Sequence, residues 1–285
     1  MSWINHHTHT VFSDGEHKPE LYVVHALTKN LPALGFTDHA PVPFDCDWTM
    51  PPENLSRYLK EIRRLKKEYA GRIGIFLSME IDYIPGKVSP DDTFIKDAGL
   101  DYLLGAVHFV DAFDDGTPWC VDGTPEGFHL GLKRIFKNDI QLAVSRFFEL
   151  TREMVETTRP DIVAHLDRFK KHNKSEIYFS EKEDWYREEV EKTLQTIARN
   201  GTIMEVNTKM LDPFPSWWIL ERAFELNIPV HLASDAHHPS EITRFFPETA
   251  ARLREIGFEN IMVFGEAGWQ QVKLPTTEFL VREEL

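Results

Sequence analysis

The sequence predicts a single α/β domain built on a parallel sheet, with its chemistry gathered at one end of the strands. Three observations predict it. Short apolar runs alternate with segments of helical periodicity along the whole chain, as a parallel sheet requires. Almost every one of those runs ends in a His, Asp or Glu, and in a parallel barrel the carboxyl ends of the strands converge on one mouth. The length, 285 residues, suits one α/β barrel, a fold of about 250 residues. No linker, low-complexity tract or internal repeat divides the chain, so one domain over residues 1–285 is expected.

The chain opens on Ile4-Asn5-His6-His7-Thr8-His9, read as the first strand. Side chains alternate along a strand, so His7 and His9 share a face about 7 Å apart. Asp14 follows in the Ser13-Asp14-Gly15 turn and can fold a carboxylate back toward them. Pro19 starts a helix that runs to Leu27. Residues 33–39 form the second strand and end on Asp38-His39. Next comes a loop in which Pro41, Pro43, Pro51 and Pro52 exclude regular structure; it carries Asp45, Asp47 and Trp48.

Residues 54–69 place Leu55, Leu59, Ile62 and Leu65 at helical spacing, with a basic solvated face. The third strand covers 73–80 and ends in Glu80; the fourth covers 102–108 and ends in His108. Residues 111–138 read as a long loop around Trp119-Cys120-Val121-Asp122-Gly123, and a loop of that length in a compact domain is usually functional or disordered. A helix follows through Phe147, Leu150 and Met154. The fifth strand, 161–165, ends in His165 and runs into Arg168. After a helix over 184–200, the sixth strand spans 202–207 with Lys209 at its tip. A helix over 216–226 precedes the seventh strand, 229–237, where Asp235 and His237 stand at i, i+2. Residues 261–264 form an eighth strand or an outer one.

Composition bounds the function. Hydrophobic residues make up 42% and aromatics 12% of the chain, enough for a sizeable core. No apolar run reaches the roughly 18 residues of a membrane span, and the first residues carry no signal-peptide pattern, so a cytoplasmic protein is expected. With only Cys46 and Cys120 present, a reduced state is the simpler reading. A net charge of −14 argues against non-specific nucleic-acid binding. It leaves room for a small anionic substrate, because bound metal ions reverse the local potential. Nothing in the sequence sets an oligomeric state.

His7, His9, His39, Glu80, His108, His165, Asp235 and His237 all occupy strand ends. The remaining histidines divide differently. His6, His25, His129 and His172 are expected at the surface, His231 in the core below the site, and His238 at the rim.

In order, His7-Thr8-His9, Ser13-Asp14-Gly15, Thr37-Asp38-His39, Met79-Glu80, Val107-His108-Phe109, Ala164-His165-Leu166-Asp167 and Ser234-Asp235-Ala236-His237 resemble the polymerase-and-histidinol-phosphatase (PHP) family. With Gly105-Ala106 before Val107 and with Glu205-Val206-Asn207-Thr208, the chain is similar to the monofunctional histidinol-phosphate phosphatases, over essentially its whole length. The resemblance implies a distorted seven-stranded, TIM-like (β/α) barrel with two to three divalent ions. Zn, Mn or Fe would each suit its imidazole and carboxylate donors. It further implies a first ion on His7, His9, Glu80 and Asp235. Glu80 would bridge to a second on His108 and His165, and Asp14, His39 and His237 would hold a third. Some members of the family carry His where this chain has Asp14.

On this reading Glu80, Asp235 and His237 are catalytic. A water bridging two ions would attack phosphorus, since a single bound zinc already lowers the pKa of water from 15.7 to about 7. Arg168, Lys209 and Arg244 are candidates to hold the phosphate oxygens, and His17 to face the leaving group. Asp45, Trp48 and Trp119 are placed around the organic half. The expected activity is a metal-dependent phosphomonoesterase acting on L-histidinol phosphate in histidine synthesis. The alternatives are another small phosphomonoester, or a phosphodiester such as a short oligonucleotide. A non-enzymatic metal-binding domain predicts a damaged ligand set, and this set is complete. An exonuclease predicts a basic groove or a polymerase region, and neither is visible.

Overall fold

The computed structural model describes residues 2–276, so positions 1 and 277–285 of the expected domain lie outside the described residues. The first half of the chain holds α1 (Pro19–Thr28), β1 (Ala33–Phe36), α2 (Leu55–Glu68), β2 (Gly74–Leu77), β3 (Glu80–Asp82), α3 (Thr93–Asp97) and β4 (Leu104–Ala106). The middle holds β5 (Phe109–Ala112), β6 (Pro118–Cys120), α4 (Pro125–Arg134), α5 (Ile140–Thr158), β7 (Ile162–Val163) and α6 (Asp184–Asn200). The last third holds β8 (Ile203–Asn207), α7 (Trp217–Glu225), β9 (Val230–Ala233), α8 (Phe246–Ile256), β10 (Asn260–Gly265) and β11 (Gly268–Lys273).

Five strands make a parallel sheet in the order β3-β4-β7-β8-β9, and β1 pairs in parallel with β2. Strands covered on both faces carry apolar side chains on both, as in β9, where all four residues are buried. Alternation still sorts the faces. Leu104, Ala106, Ile162 and Ile203 join one apolar cluster, whereas Val163, Met204 and Val206 join a larger one beneath the helices. On the first face β8 runs from Ile203 to Glu205 to Asn207, so it turns polar toward its carboxyl end. Each fully buried Leu, Ile or Phe contributes roughly 1.5–3 kcal/mol, so the apolar face anchors the polar one.

The expected first strand is not regular. Residues 5 and 8 make single parallel bridges, Asn5 to Leu34 beside β1 and Thr8 to Ala236 just past β9. Backbone bonds from Gly35 N to Asn5 O (2.8 Å) and from His9 N to Ala236 O (2.9 Å) hold the segment on both sides. Tight packing explains Gly35: a Cβ there would lie 2.1 Å from Tyr102 Oη.

Two further expectations are corrected. The third strand is broken at Ser78-Met79 into β2 and β3, and the Ser78 hydroxyl donates to Tyr102 O at 2.7 Å. Residues 111–138 are not a loop: β5 and β6 form an antiparallel hairpin and α4 follows. The start of α4 was visible in the sequence. Thr124 caps it by accepting from Gly127 N at 3.1 Å, and Pro125 takes the first helical position. Of the two readings for residues 261–264 the outer strand holds: they belong to an antiparallel hairpin of β10 and β11, apart from the parallel sheet.

Candidate metal centre

Eight of the nine expected ligands lie beyond their strands or in irregular segments; Glu80 opens β3. The structure brings all nine together. His7 Nε2 and His9 Nε2 face each other at 2.9 Å. Glu80 Oε2 lies 3.3 and 3.4 Å from those two nitrogens, and Asp235 Oδ1 lies 3.2 Å from His9 Nε2. The other oxygen, Glu80 Oε1, turns to His165 Nε2 at 2.7 Å and His108 Nε2 at 3.6 Å. One carboxylate therefore stands between two imidazole pairs. Asp14 lies 3.0 Å from His237 Nε2, 3.6 Å from His9 Nδ1 and 3.8 Å from His39 Nε2.

The grouping differs in detail from the expected one. His9 shares close donors with Asp14, His39 and His237 as well as with His7 and Asp235, and His39 also groups with Glu80 and His108. The reason is the short N-terminal segment, which puts the His9 ring 4.4 Å from the rings of both His39 and His237.

The donor chemistry fits divalent cations. His7 Nδ1 sits 2.5 Å from Glu205 Oε1, and His108 Nδ1 sits 3.0 Å from Asp82 Oδ1. With protons on those Nδ1 atoms, the paired Nε2 atoms present lone pairs toward each other, an arrangement a cation stabilises. The Nδ1 atoms of His9 and His39 are buried and make no hydrogen bond, although carboxylate oxygens lie 3.6 and 3.1 Å away. Burial, reinforced by His237 and His39, lowers the His9 pKa and keeps the ring neutral. Burial works against ionisation of Glu80, yet His39, His7 and His108 outweigh it and hold the carboxylate well below its usual range. Asp235 is lowered in the same way, with Lys209 and His7 outweighing burial. Two of the ligands, His165 and Asp235, are non-glycine residues at φ 22° and 49°, conformations that cost about 1–3 kcal/mol each.

A model of the family described as PHP domain matches residues 5–209. The chain belongs to the PHP domain family. The PHP domain is 28% identical over 249 residues to a Deinococcus radiodurans protein named a probable histidinol-phosphatase, covering 84% of this chain and 87% of that one. It is 27% identical over 257 residues to the Bacillus subtilis histidinol-phosphatase, covering 83% and 94%. A crystal structure of histidinol phosphate phosphatase from Lactococcus lactis, complexed with zinc, L-histidinol and phosphate, superposes with a TM-score of 0.66 at 20% identity, covering 94% of this chain and 98% of that one. That likeness shows a shared α/β fold.

Beside the cluster the PHP domain opens a cavity of about 650 Å³, lined among others by Trp48, Arg168, Lys171, Lys174, Lys209 and Phe214. Arg168 is buried; its Nε donates to Asp122 Oδ2 at 2.6 Å and its guanidinium lies 5.1 Å from the Phe214 ring centre. Lys209 Nζ stands 3.3 Å from Asp235 Oδ1 and 3.2 Å from His237 Nδ1.

Other sequence candidates fall elsewhere. Arg244 pairs on the surface with Glu241 at 2.6 Å, and His17 packs beside His238; neither lines the cavity. Trp48 does line it, but Asp45 does not, and Trp119 is a buried core residue donating to Gly127 O. His6 is fully buried rather than exposed, stacked on His231, which is in the core as expected. His172 is half-buried, its Nε2 enclosed.

Sequence reasoning also missed supporting residues. Glu205 and Asp82 orient two histidines, and Asn207 Nδ2 bridges Glu205 and Asp235 at 3.1 and 3.2 Å. Asp38 accepts from Thr10 N at 2.8 Å and Ser13 N at 3.0 Å, setting the turn that carries Asp14. The signal for Asp82 was present, since it stands two residues past Glu80 on the same face of a strand.

Proposed function

We propose that this PHP domain is a metal-dependent phosphomonoesterase that hydrolyses L-histidinol phosphate to L-histidinol and phosphate, in histidine synthesis and in the cytoplasm. The observation that carries the proposal is Glu80, whose two oxygens face separate groups of imidazoles. Curated relatives named histidinol-phosphatase, matching over more than four fifths of the chain, support the substrate. Among the described residues no helix is long and apolar enough to cross a membrane.

His7, His9, Asp14, His39, Glu80, His108, His165, Asp235 and His237 would hold two to three ions of Zn, Mn or Fe. Bound there, such ions supply positive charge for phosphate oxygens and acidify water near neutral pH. The chain's own groups do the rest. Glu205 and Asp82 keep the Nδ1 protons of His7 and His108 outward, so that their Nε2 atoms point at the centre. Arg168, locked by Asp122 and Phe214, offers its remaining N–H groups as a preformed fork for phosphate oxygens. Lys209 adds a second cation beside Asp235. Both cations offset the negative charge of a phosphate dianion at a mouth rich in carboxylates.

The parallel order β3-β4-β7-β8-β9, the β1–β2 pair and the bridges at Asn5, Thr8 and His39 support a distorted (β/α)7 TIM-like barrel, with one domain over 1–285. In it the N-terminal segment takes the place of a strand between β1 and β9.

Phosphate release should be measured from L-histidinol phosphate, p-nitrophenyl phosphate, glycerol phosphate and a short oligonucleotide, on metal-analysed protein. The expected result is two to three ions per chain, activity abolished by a chelator, and kcat/KM highest for L-histidinol phosphate. Higher efficiency on another ester or on the oligonucleotide would overturn the substrate; fewer than one ion per chain in active protein would overturn the chemistry.

A further inference from the structure

Outside the cavity, a second group of metal-type donors stands at the rim. Glu16, His17 and His238 each offer one ligand atom, and these atoms lie within 4.8 Å of one another. None of the three lines the cavity, and none forms an ion pair among the described residues. We propose that they form an auxiliary site for a borderline divalent transition ion such as Zn²⁺, Co²⁺ or Ni²⁺, which clips the turn bearing Asp14 to the loop bearing Asp235 and His237.

The donors come from two segments far apart in sequence, and both are held in place without a metal. Glu16 N donates to His237 O at 2.8 Å, and Val11 N donates to His17 O at 3.1 Å. Tyr22 Oη, on α1, also donates to His237 O, at 2.6 Å. At Gly15 the turn presses so closely on the first segment that a Cβ would lie 2.2 Å from His9 O. Little ordering entropy is therefore left to lose when an ion binds.

The donor set also selects the ion. Two imidazoles and one carboxylate suit zinc, cobalt and nickel, whereas Ca²⁺ and Mg²⁺ prefer all-oxygen sites. The rings of His17 and His238 sit edge to face with centres 4.9 Å apart. His238 Nδ1 lies 2.7 Å from Ser240 Oγ and 3.2 Å from Ser240 N, which orients the ring; a cation at Nε2 takes the tautomer in which Nδ1–H donates to the hydroxyl rather than accepting from the amide. Such support of the far ring nitrogen accompanies metal-binding histidines. Three protein ligands leave the remaining positions to water, which makes this a site that fills and empties with the surrounding metal concentration.

The site is tested with protein carrying its resident ions, dialysed into zinc-free buffer and then titrated with Zn²⁺ alone. Metal per chain is read by elemental analysis, and thermal unfolding is followed at each step. Wild type should take up one more ion than the His17→Ala/His238→Asn double variant. Its Tm should rise with Zn²⁺, because a ligand bound to the native state stabilises it, and the variant's should not. Glu16→Gln, at an exposed position, guards against loss of the fold and should weaken this uptake by about tenfold, at the lower end of what losing a single metal-supporting group costs. Equal uptake by wild type and the double variant would overturn the proposal, as would an unchanged affinity in Glu16→Gln. Loss of more than one ion in the double variant would also overturn it, since these residues would then belong to the main centre. The count does not depend on which ester the protein hydrolyses.

Discussion

His6 and His7 are adjacent, equally buried, and electrostatic opposites. His6 lies among the rings of Phe76, Tyr102, His231, Phe264 and Trp269, and its Nε2 accepts from Phe264 N at 3.0 Å. Burial, with His231 adding to it, drives its pKa well down, so the ring is a neutral part of the core. Burial presses on His7 too, yet Glu205, Glu80 and Asp235 outweigh it and raise its pKa well above the usual value, so a cation binding at Nε2 takes the place of a proton there. Solvent exposure therefore does not distinguish a structural histidine from a functional one here. The carboxylates around it do, and those come from strands far away in sequence.

The comparison breaks most completely at Glu80. Glu80→Gln removes the one anion shared by both imidazole groups, so metal content and kcat should fall together. Altered supporting groups already cost 10- to 100-fold, so a loss in kcat of at least about a hundredfold is expected here. Full metal content with near-normal turnover would show that Glu80 is not the bridge.

Arg168→Ala and Lys209→Ala should leave the metals in place and touch the phosphate alone. A hydrogen bond to a charged group is worth roughly 1.5–3 kcal/mol, so each variant should lose about ten- to a hundredfold in kcat/KM. The loss falls on KM where the cation grips ground and transition states alike, and on kcat where the grip tightens. Wild-type efficiency and wild-type inhibition by phosphate in both variants would make these residues rim charges.

Glu205→Gln sharpens the contrast by giving His7 surroundings closer to those of His6. It keeps a hydrogen-bonding group beside His7 Nδ1 and removes the charge. Metal affinity, followed by titration of chelator-treated protein, should drop about 10-fold, the lower end for an outer partner of a ligating histidine. An unchanged affinity would mean that the carboxylate does not tune His7.

The smallest effect lies at the base and appears only in stability. Burial lowers the His231 pKa from 6.5 to about 4. Between those values the unfolded chain binds the proton and the folded one does not, so stability is present above pH 6.5 and is lost as pH falls toward 4. From pH 7 to pH 5 the share of this one group is on the order of 2 kcal/mol. Urea unfolding of wild type and His231→Asn at both pH values isolates it: the variant's loss should be smaller by that amount. Identical losses would show that His231 does not titrate differently on folding.

Much of this architecture is legible in one dimension because it is periodic. Helix α2 shows in Leu55, Leu59, Ile62 and Leu65, and the parallel strands show as apolar runs ending in Glu80, His108, His165 or Asp235. Alternation also tells that His7 and His9 share a direction, and the structure brings their Nε2 atoms to 2.9 Å. Residues 111–138 failed because the apolar period of the hairpin is short and irregular, although Thr124-Pro125 marked the helix within. What only the tertiary structure decided is who meets whom. It put Glu205 beside His7, Asp122 beside Arg168 and His6 inside an aromatic cage, and it left Arg244 with Glu241 on the surface. Periodicity is a property of neighbours along the chain, so a sequence carries it locally. A charge partner 198 residues away depends on strand order and register, and those are settled only when the apolar faces pack together and bring the polar strand ends to one place.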